Sequence, residues 1–411
     1  MIYIKRHAEE AISRMAKMNP AVIVTGPRQV GKTTILKNLY KDTKFLSFDD
    51  IRIMQYATES PKQFFNTNPP PVLLDEVQYV PEIFRYIKIL ADEKQNAGMF
   101  FMTGSQTFQL MKNVTESLAG RVGILELLGL SLREILNKNF IKPFMPTADY
   151  LSEAEEHKKA ISYDEVWKII HKGSMPKLYT ANFDEINWTQ FYTDYMRTYI
   201  EKDVRTLLNI GNERAFMQFM RLLAANTAQT INFSKIASEI GKEVNTVKSW
   251  VSILQNSGII YILEPYFSNI NKRIIKTPKI YFLDTGLCAY LTGWYTAEQL
   301  QFGAMSGSFF ETFVVSEIIK SYRNVGINTH MRLSFYRDKD QKEIDLIIEE
   351  NGTLYPIEIK KTTNPNINDV SNFKVLLNET NKKIGNGGLI YSGEEIMFLE
   401  DNLRAIPLTL L

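Results

Sequence analysis

The chain of 411 residues contains a single cysteine, Cys288. An internal disulfide is therefore excluded, a cysteine-based metal site is disfavoured, and a reducing cytoplasm is the expected compartment. No apolar run approaches the ~20 residues of a membrane-spanning helix, and the N-terminus lacks the apolar segment of a signal peptide. The formal net charge is only +2. Any nucleic-acid surface must therefore be a local patch, and no membrane partner is expected.

The length predicts two to four domains, and the sequence shows neither an internal repeat nor a low-complexity tract. Changes in pattern along the chain divide it into four segments. These are an N-terminal α/β domain at 1–140, a helical lid or linker at 141–228, a two-helix unit followed by strands at 229–290, and a C-terminal α/β domain at 291–411.

The strongest motif is Gly26–Thr33, which fits the phosphate-loop pattern G-x-x-x-x-G-K-[ST]. A short apolar strand precedes it and an amphipathic helix follows, which is the context that the motif requires. Its backbone N–H groups and the helix N-terminus would bind phosphate, Lys32 would reach the β- and γ-phosphates, and Thr33 would hold Mg²⁺. The candidate ATP-binding residues of this segment are Gly26, Pro27, Arg28, Gln29, Val30, Gly31, Lys32, Thr33 and Thr34.

Strand patterns alternate with helical ones in this first segment, which predicts a parallel sheet with its ligand at the carboxyl ends of the strands. The predicted strands are 21–25, 45–48, 72–74, 99–103 and 122–127. The third ends in Asp75 and Glu76. We expect Asp75 to support Mg²⁺ and Glu76 to orient the attacking water of an ATPase.

Two further polar positions lie near strand ends. Ser105 or Gln106, after the fourth strand, is the candidate for a side chain that senses the γ-phosphate. Arg121, before the fifth strand, would neutralise charge in the transition state, in cis or from a neighbouring subunit, unless it forms an ordinary surface ion pair.

These motifs resemble those of bacterial and archaeal AAA-type ATPases that are known only as ATP-binding proteins with a C-terminal domain of unknown function. The resemblance rests on G-P-R-Q-V-G-K-T-T, L-L-D-E-V-Q, T-G-S-Q and S-L-A-G-R, and later on 195–204 and 279–287. It covers nearly the whole chain and implies ATP binding. Because AAA-type domains often work as rings, a homo-oligomer is an open alternative.

The middle of the chain is predicted to be mostly helical. Residues 150–159 are expected to form a loop or an exposed helix, and 188–208 a helix with either solvated charges or an Arg197 or Arg205 that faces nucleotide. Two short helices at 233–240 and 245–254, the second with Asn245 as N-cap, resemble a winged helix-turn-helix. Its exposed cations are few, so both DNA reading and a structural role stay open.

The stretch 271–279 is the densest basic segment of the chain and is expected to contact a nucleic-acid backbone or to form a solvated hairpin. It follows the winged helix-like unit directly.

The last segment carries a second set of charged residues. Asp345 and Glu358 lie on two strands joined by an Asn-Gly turn, Lys360 follows two residues after Glu358, and Glu311 lies on an apolar helix. Such carboxylates, Asp345 and Glu358 above all, can hold Mg²⁺ and activate water against a phosphodiester. The pattern is similar to the core of restriction-endonuclease-like and Holliday-junction-resolvase-like nucleases, although an inactive docking domain with an ion pair between Glu358 and Lys360 is the alternative.

The sequence thus predicts a cytoplasmic, Mg²⁺-dependent AAA-type ATPase whose middle region relays nucleotide state to a nuclease-like domain acting on nucleic acid, with DNA more expected than RNA. The alternative is a nucleotide-regulated switch or scaffold with protein partners and an inactive nuclease-like domain. A small-molecule kinase is less consistent with the Asp75-Glu76 strand end.

Overall fold

The computed structural model describes residues 3–104, 114, 116–180, 184–199, 213–266 and 277–411. Its N-terminal region contains a parallel sheet, as the alternating pattern predicts. The strands are β1 (Ala21–Thr25), β2 (Lys44–Ser47), β3 (Val72–Asp75), β4 (Phe100–Thr103) and β5 (Val122–Glu126). They pair in the order β2-β3-β4-β1-β5, and all pairs are parallel. The carboxyl ends of β1, β3 and β4 therefore meet at one edge.

Helices cover both faces of this sheet. They are α1 (Ala8–Met18), α2 (Lys32–Leu39), α3 (Ile51–Glu59), α4 (Pro61–Thr67) and α5 (Ile83–Lys94). Every residue of β1 is buried, which explains why this strand reads as a continuous apolar run rather than as an alternating one.

The middle of the chain is helical. Its helices are α6 (Leu132–Ile135), α7 (Ala148–Glu156), α8 (Tyr163–Lys172), α9 (Lys177–Thr180), α10 (Glu185–Tyr199) and α11 (Glu213–Ala225). The polar sequence of this region predicts a loop or an exposed helix. The structure has the helix α7 there, and its Tyr150 is fully buried. Its hydroxyl accepts a hydrogen bond from Arg133 (2.5 Å) and donates one to the carbonyl of Leu410 (2.9 Å).

The next unit combines two short helices with a small antiparallel sheet. It consists of β6 (Gln229–Thr230), α12 (Phe233–Glu239), α13 (Val244–Asn256), β7 (Ile260–Leu263) and β8 (Lys279–Phe282), with the strand order β6-β8-β7. The predicted N-cap at Asn245 is wrong: α13 begins at Val244, so Asn245 already lies in the first turn and Glu243 takes the cap position.

The C-terminal region is built on a mixed sheet. Its helices are α14 (Thr285–Thr292), α15 (Ala297–Phe302), α16 (Ser306–Arg323) and α17 (Leu376–Glu379). Its strands are β9 (Leu333–Arg337), β10 (Glu343–Glu350), β11 (Thr353–Ile359), β12 (Lys383–Ile384), β13 (Gly387–Tyr391), β14 (Met397–Glu400) and β15 (Leu403–Pro407). The order is β14-β15-β13-β11-β10-β9, with β12 beside β11. Asn351 and Gly352 both have positive φ, as the predicted two-residue hairpin between β10 and β11 requires.

The N-terminal and C-terminal regions are in direct contact. One cluster of buried apolar side chains runs from Ala8 to Leu411 and includes Trp167 and Phe282 on the way. Helix α16 adds polar contacts to the segment that follows β5. These contacts are Glu317 Oε2 with the backbone N–H of Leu132 (2.7 Å), Lys320 Nζ with the carbonyl of Leu130 (3.0 Å), and Arg323 with Glu126 (2.5 Å). The segment after β5 and helix α16 are therefore joined directly as well as through the middle of the chain.

Candidate nucleotide site and C-terminal acidic cluster

The phosphate loop connects β1 to α2 through two glycines with positive φ. Gly26 has a φ of +135°, and a Cβ atom there would lie 2.1 Å from the carbonyl oxygen of Leu127. Gly31 has a φ of +93° immediately before α2 begins at Lys32. Both positions therefore require glycine, the first because of contact and the second because of backbone conformation.

Lys32 is buried, and its ammonium group lies across the inside of this loop. It donates to the carbonyl oxygens of Gly26 (3.0 Å) and Pro27 (2.8 Å). Around it Arg28 is half-buried, and Gln29 and Thr34 are exposed. The positive charge is thus held at the N-terminus of α2, where an anion is also favoured by the helix dipole.

Asp75, at the carboxyl end of β3, contacts the last residues of the neighbouring strands β2 and β4 and the start of α2. The Thr33 hydroxyl donates to Asp75 Oδ1 (2.6 Å), the Thr103 hydroxyl donates to the same oxygen, and the Ser47 hydroxyl lies 3.4 Å from Oδ2. Thr103 also accepts from the backbone N–H of Glu76 (3.3 Å). Sequence reasoning placed Thr33 and Asp75 together but missed Thr103 and Ser47, which end β4 and β2.

Glu76 has a left-handed backbone conformation, with a φ of +56°. This conformation is uncommon for a residue with a side chain and often marks functional sites. The Glu76 carboxylate is half-buried and accepts a hydrogen bond from the Gln78 side chain (2.5 Å). Glu76 is therefore held beside Asp75 and Thr103 at the edge of the sheet that carries the phosphate loop.

A cavity of about 320 Å³ lies beside the loop. Ligand pockets for small molecules begin at about this size. Its lining combines the loop, the N-terminal segment and the start of α9. The lining residues are Tyr3, Ile4, Arg6, Gln29, Val30, Gly31, Thr34, Leu130, Pro176, Lys177 and Thr180.

Arg6 fixes the far side of the loop, a role that the sequence did not reveal. Its guanidinium donates to the carbonyls of Val30 (2.8 Å) and Leu128 (2.8 Å) and pairs with Glu134 (3.0 Å). Arg6 and Glu134 are both buried, so this ion pair would be costly to break from one side.

The phosphate loop also contacts the unit formed by α12, α13 and the small sheet. Gly258, in the turn between α13 and β7, has a φ of +69°, and a Cβ atom there would lie 2.8 Å from Cγ of Pro27. A side chain at position 258 would therefore collide with Pro27 of the phosphate loop.

The Asp284 carboxylate joins several segments in the middle of the chain by hydrogen bonds. The Asp284 carboxylate accepts hydrogen bonds from the backbone N–H and hydroxyl of Ser174, from the Tyr192 hydroxyl and from the backbone N–H of Leu287. A Cβ atom at Gly173 or at Gly286 would lie within 2.3 Å of the Tyr192 hydroxyl. The Asp284 and Gly286 positions of the 279–287 stretch therefore have a structural explanation.

Arg121 does not lie at the phosphate loop. Its carbonyl accepts from the backbone N–H of Ala21, the first residue of β1, whereas the loop follows the last, Thr25. Four strand residues separate the two edges by about 13 Å. The guanidinium pairs instead with Asp92 (2.5 Å). The expectation that Arg121 binds nucleotide in cis is therefore wrong, and a contribution to a neighbouring subunit stays a prediction.

Four other predicted positions cannot be placed at the loop. Ser105, Gln106 and Arg205 lie outside the described residues. Arg197 is exposed on α10. The γ-phosphate sensor at Ser105 or Gln106 stays a prediction.

The C-terminal residues predicted as a site do come together. Asp345 on β10 precedes Leu346, which pairs with Ile357 of β11, and Glu358 follows Ile357. Asp345 Oδ2 accepts from the backbone N–H of Ile359 (2.9 Å). Glu358 Oε1 pairs with Lys360 (2.7 Å), whereas the buried Glu358 Oε2 has no hydrogen-bond partner among the described residues.

Lys279, the first residue of β8, enters this cluster and is only 2% exposed. Its ammonium pairs with Glu311 (3.0 Å) on α16, with Glu343 and with Asp345 (3.6 Å) on β10. The Tyr281 hydroxyl donates to Glu311 (2.7 Å). The basic stretch that ends at Lys279 was expected to be solvated or to contact nucleic acid, and for Lys279 this expectation is wrong.

Burial and mutual repulsion dominate the electrostatics of these carboxyl groups. Burial, followed by the charge of Asp345, raises the pKa of Glu311 to about 7 and that of Glu358 to about 8. Burial alone would lower the pKa of Lys279, but Tyr281 and the surrounding carboxylates outweigh it and raise that pKa well above its usual value. Within the described residues, no group of three or more His, Cys, Asp or Glu side chains converges as metal ligands do.

None of the helices in the described ranges is both long and apolar enough to cross a membrane.

Comparison with known proteins finds family matches in three ranges of the chain. Residues 18–136 match the family model of an AAA domain, and residues 163–298 and 306–411 each match a domain of unknown function. The AAA match covers the parallel sheet and its phosphate loop, so this part of the chain is similar to AAA domains.

Two curated relatives extend over most of the chain, and both are uncharacterized proteins. One, from Mycobacterium tuberculosis, is 26% identical over 410 residues, which is 99% of this chain and 84% of the relative. The other, from Methanocaldococcus jannaschii, is 25% identical over 358 residues, which is 82% of this chain and 74% of the relative.

Solved structures with some similarity include a Walker-type ATPase of Pyrococcus abyssi and AMPPCP-bound DnaA from Aquifex aeolicus. The first has a TM-score of 0.46 at 14% identity and covers 71% of this chain and 96% of that one. The second has a TM-score of 0.28 at 11% identity and covers 60% of this chain and 85% of that one. At these TM-scores neither likeness carries weight for function.

Proposed function

We propose that this protein binds and hydrolyses ATP with Mg²⁺ and passes the nucleotide state to its C-terminal region. The observation that carries the proposal is the convergence of Thr33, Asp75 and Thr103 at the mouth of a phosphate loop that holds Lys32. A hydroxyl and a carboxylate in contact are the oxygen donors that Mg²⁺ prefers beside phosphates.

Each residue of the site has a separate role in the proposed reaction. Lys32 and the loop N–H groups bind the phosphates, and the adjoining cavity accepts the nucleoside. Thr33 and Asp75 would hold Mg²⁺, which neutralises charge on the transferring phosphoryl group. Glu76 would orient the attacking water, and its bond to Gln78 fixes the carboxylate for that task.

Two contacts support transmission of the nucleotide state. The loop residue Pro27 packs on Gly258, and α16 binds the segment after β5 through Glu317 and Lys320. A displacement of the loop or of β5 on nucleotide binding would therefore act directly on both later regions, because closely packed interfaces do not deform continuously.

Action on nucleic acid is the second candidate function. Asp345 and Glu358 are neighbours on paired strands, as a nuclease core requires, but metal-dependent cleavage would need a divalent ion where the Lys279 ammonium pairs with Glu311 and Asp345. The two helices α12 and α13 beside a small sheet are consistent with the predicted winged helix. Lys248 on the exposed face of α13 lies over the ring of Phe233 (5.8 Å) and is a sparse basis for binding a phosphate backbone.

One experiment tests the two functions. Phosphate release from Mg·ATP is measured for the wild type, Glu76→Gln and Glu59→Gln, with and without supercoiled plasmid, and the plasmid is then examined on a gel. We expect Glu76→Gln to lower turnover about 10²–10⁴-fold with ATP still bound. Glu59, an exposed residue of α3, is the matched control and should be replaceable without effect.

The outcomes separate cleanly. Turnover that is absent from the wild type would refute the ATPase proposal, and turnover that is unchanged in Glu76→Gln would refute the role given to Glu76. Mg²⁺-dependent nicking that Asp345→Ala abolishes would establish the nuclease function, and intact plasmid under all conditions would exclude it.

A further inference from the structure

The C-terminal acidic cluster already contains a cation. The ammonium of Lys279 has three N–H donors, and it lies against one oxygen each of Glu311, Glu343 and Asp345. These carboxylates come from α16 and β10 of the C-terminal region, whereas Lys279 begins β8 of the preceding unit. The ion pairs therefore join two parts of the chain as well as balancing charge.

A divalent metal ion would need the same oxygens. Mg²⁺ binds carboxylate oxygens at about 2.0–2.1 Å, whereas an ammonium holds them at about 2.7–2.9 Å or beyond. The oxygens of Glu311 and Asp345 stand 3.0 Å and 3.6 Å from Lys279 Nζ, which is ion-pair distance for an ammonium and beyond coordination distance for a metal ion in the same place. The lack of any metal-like convergence among the described acidic side chains agrees with this spacing.

One acidic oxygen of the cluster is left unused. Glu358 is 4% exposed, and its Oε2 has no hydrogen-bond partner within the described residues. A buried carboxylate oxygen without a partner is unfavourable, and it is a ligand that an additional cation could take. Removal of the Lys279 charge would leave the cluster with Lys360, which pairs with Glu358, and Arg337, which pairs with Glu343.

We propose that Lys279 is the resident cation of this cluster and takes the place that a divalent metal ion occupies in carboxylate sites of nuclease type. The cluster then acts as a metal-free joint between β8 and the C-terminal sheet. The proposal is independent of ATP hydrolysis, since it concerns no residue of the phosphate loop.

The test is a gain of metal binding. Mn²⁺ binding to nucleotide-free protein is measured by electron paramagnetic resonance for the wild type, Asp345→Asn, Lys279→Met, the double variant Lys279→Met with Asp345→Asn, and Lys320→Met. Lys320 is the matched control because it is equally buried at 2% exposure, but its ion-pair partner is the single carboxylate of Glu317. We expect Lys279→Met to bind Mn²⁺ at least ten times more tightly than the wild type, and the double variant and Lys320→Met to gain nothing.

Two results would overturn the proposal. One is Mn²⁺ binding by the wild type that Asp345→Asn removes. The other is a folded Lys279→Met that shows no gain. If Lys279→Met is unfolded without metal, Mn²⁺ or Mg²⁺ should restore its folding as followed by circular dichroism, and failure of both ions to do so would also refute the resident-cation role.

Discussion

Thr103 is the residue through which the acidic strand end is held in place. Its hydroxyl donates to Asp75 and accepts from the backbone N–H of Glu76, so one side chain orients the proposed metal carboxylate and the residue proposed to prepare water. Thr103 is only 1% exposed, so water does not readily replace these partners. Removal of the hydroxyl alone would leave Asp75 with one fewer donor.

We expect Thr103→Val to lower ATP turnover about 10–100-fold, the usual effect of losing a partner of a metal ligand. Binding of ATP without Mg²⁺ should change little, because the phosphate loop is untouched. Thr103→Ser retains the hydroxyl and should restore most of the turnover. Steady-state phosphate release and fluorescent-nucleotide binding measure the two effects, and an equal loss in Thr103→Ser would show that packing rather than the hydroxyl matters.

The position of a site residue can be predicted from sequence when the residues that fix it are close by in the chain. Lys32 and Thr33 could be assigned from sequence because the glycines around them fix the loop within eight residues. Thr103 and Lys279 could not, since their partners lie on strands far away in the chain. Lys279 in particular ends a basic stretch typical of a solvated surface, and only the packing of β8 against α16 buries it.

At the scale of elements, the turn between α13 and β7 is the contact that links the phosphate loop to the following unit. Gly258 in this turn and Gly241 after α12 both have positive φ, +69° and +62°. A Cβ atom at Gly258 would lie 2.8 Å from Pro27, whereas one at Gly241 would meet nothing within 4 Å. A comparison of alanine substitutions at these two glycines therefore distinguishes the effect of backbone strain from the effect of contact with the loop.

We expect Gly258→Ala to weaken ATP binding about tenfold or more, because the loop must shift to admit the methyl group. Gly241→Ala carries a similar strain of about 1–2 kcal/mol without that contact and should leave ATP affinity unchanged. Isothermal titration with a non-hydrolysable ATP analogue gives the comparison. Equal affinities for the two variants would show that the turn and the loop are uncoupled.

Element boundaries follow the sequence where a turn or strand has a local signal. The Asn351-Gly352 turn is predicted from the two residues that need positive φ, and the strands of the parallel sheet from their apolar runs. The prediction of Asn245 as N-cap is wrong by two residues, since Glu243 is the cap of α13. A residue preference indicates that a helix begins nearby but does not fix the residue at which it begins.

At the scale of the whole molecule, four segments with different sequence patterns share one apolar core. The cluster that includes Ala8, Trp167 and Leu411 could not be predicted, because a pattern indicates which face of an element is apolar but not which distant element covers it.

Histidines are also buried in the interior of the protein. His171 on α8 is 7% exposed, stacks on Trp188 at 4.3 Å and bonds through Nε2 to the carbonyl of Trp294 (3.0 Å).

Burial lowers the pKa of His171 to about 4. In the unfolded chain the pKa is about 6.5, so the neutral ring stabilises the fold fully above pH 6.5 and this contribution is lost as the pH falls toward 4. The loss amounts to about 3 kcal/mol at the acid end of that range. Burial also lowers the pKa of His7, which acts in the same direction.

We therefore expect the free energy of unfolding of the wild type to fall between pH 7 and pH 4.5 by about 2–3 kcal/mol more than that of His171→Gln, whose amide can still donate to Trp294 but cannot titrate. Urea denaturation at both pH values measures the difference. His157→Gln, at an exposed histidine, is the matched control and should follow the wild type. If His171→Gln lost stability in acid as steeply as the wild type, the acid sensitivity would have to come from carboxyl groups rather than from the buried ring.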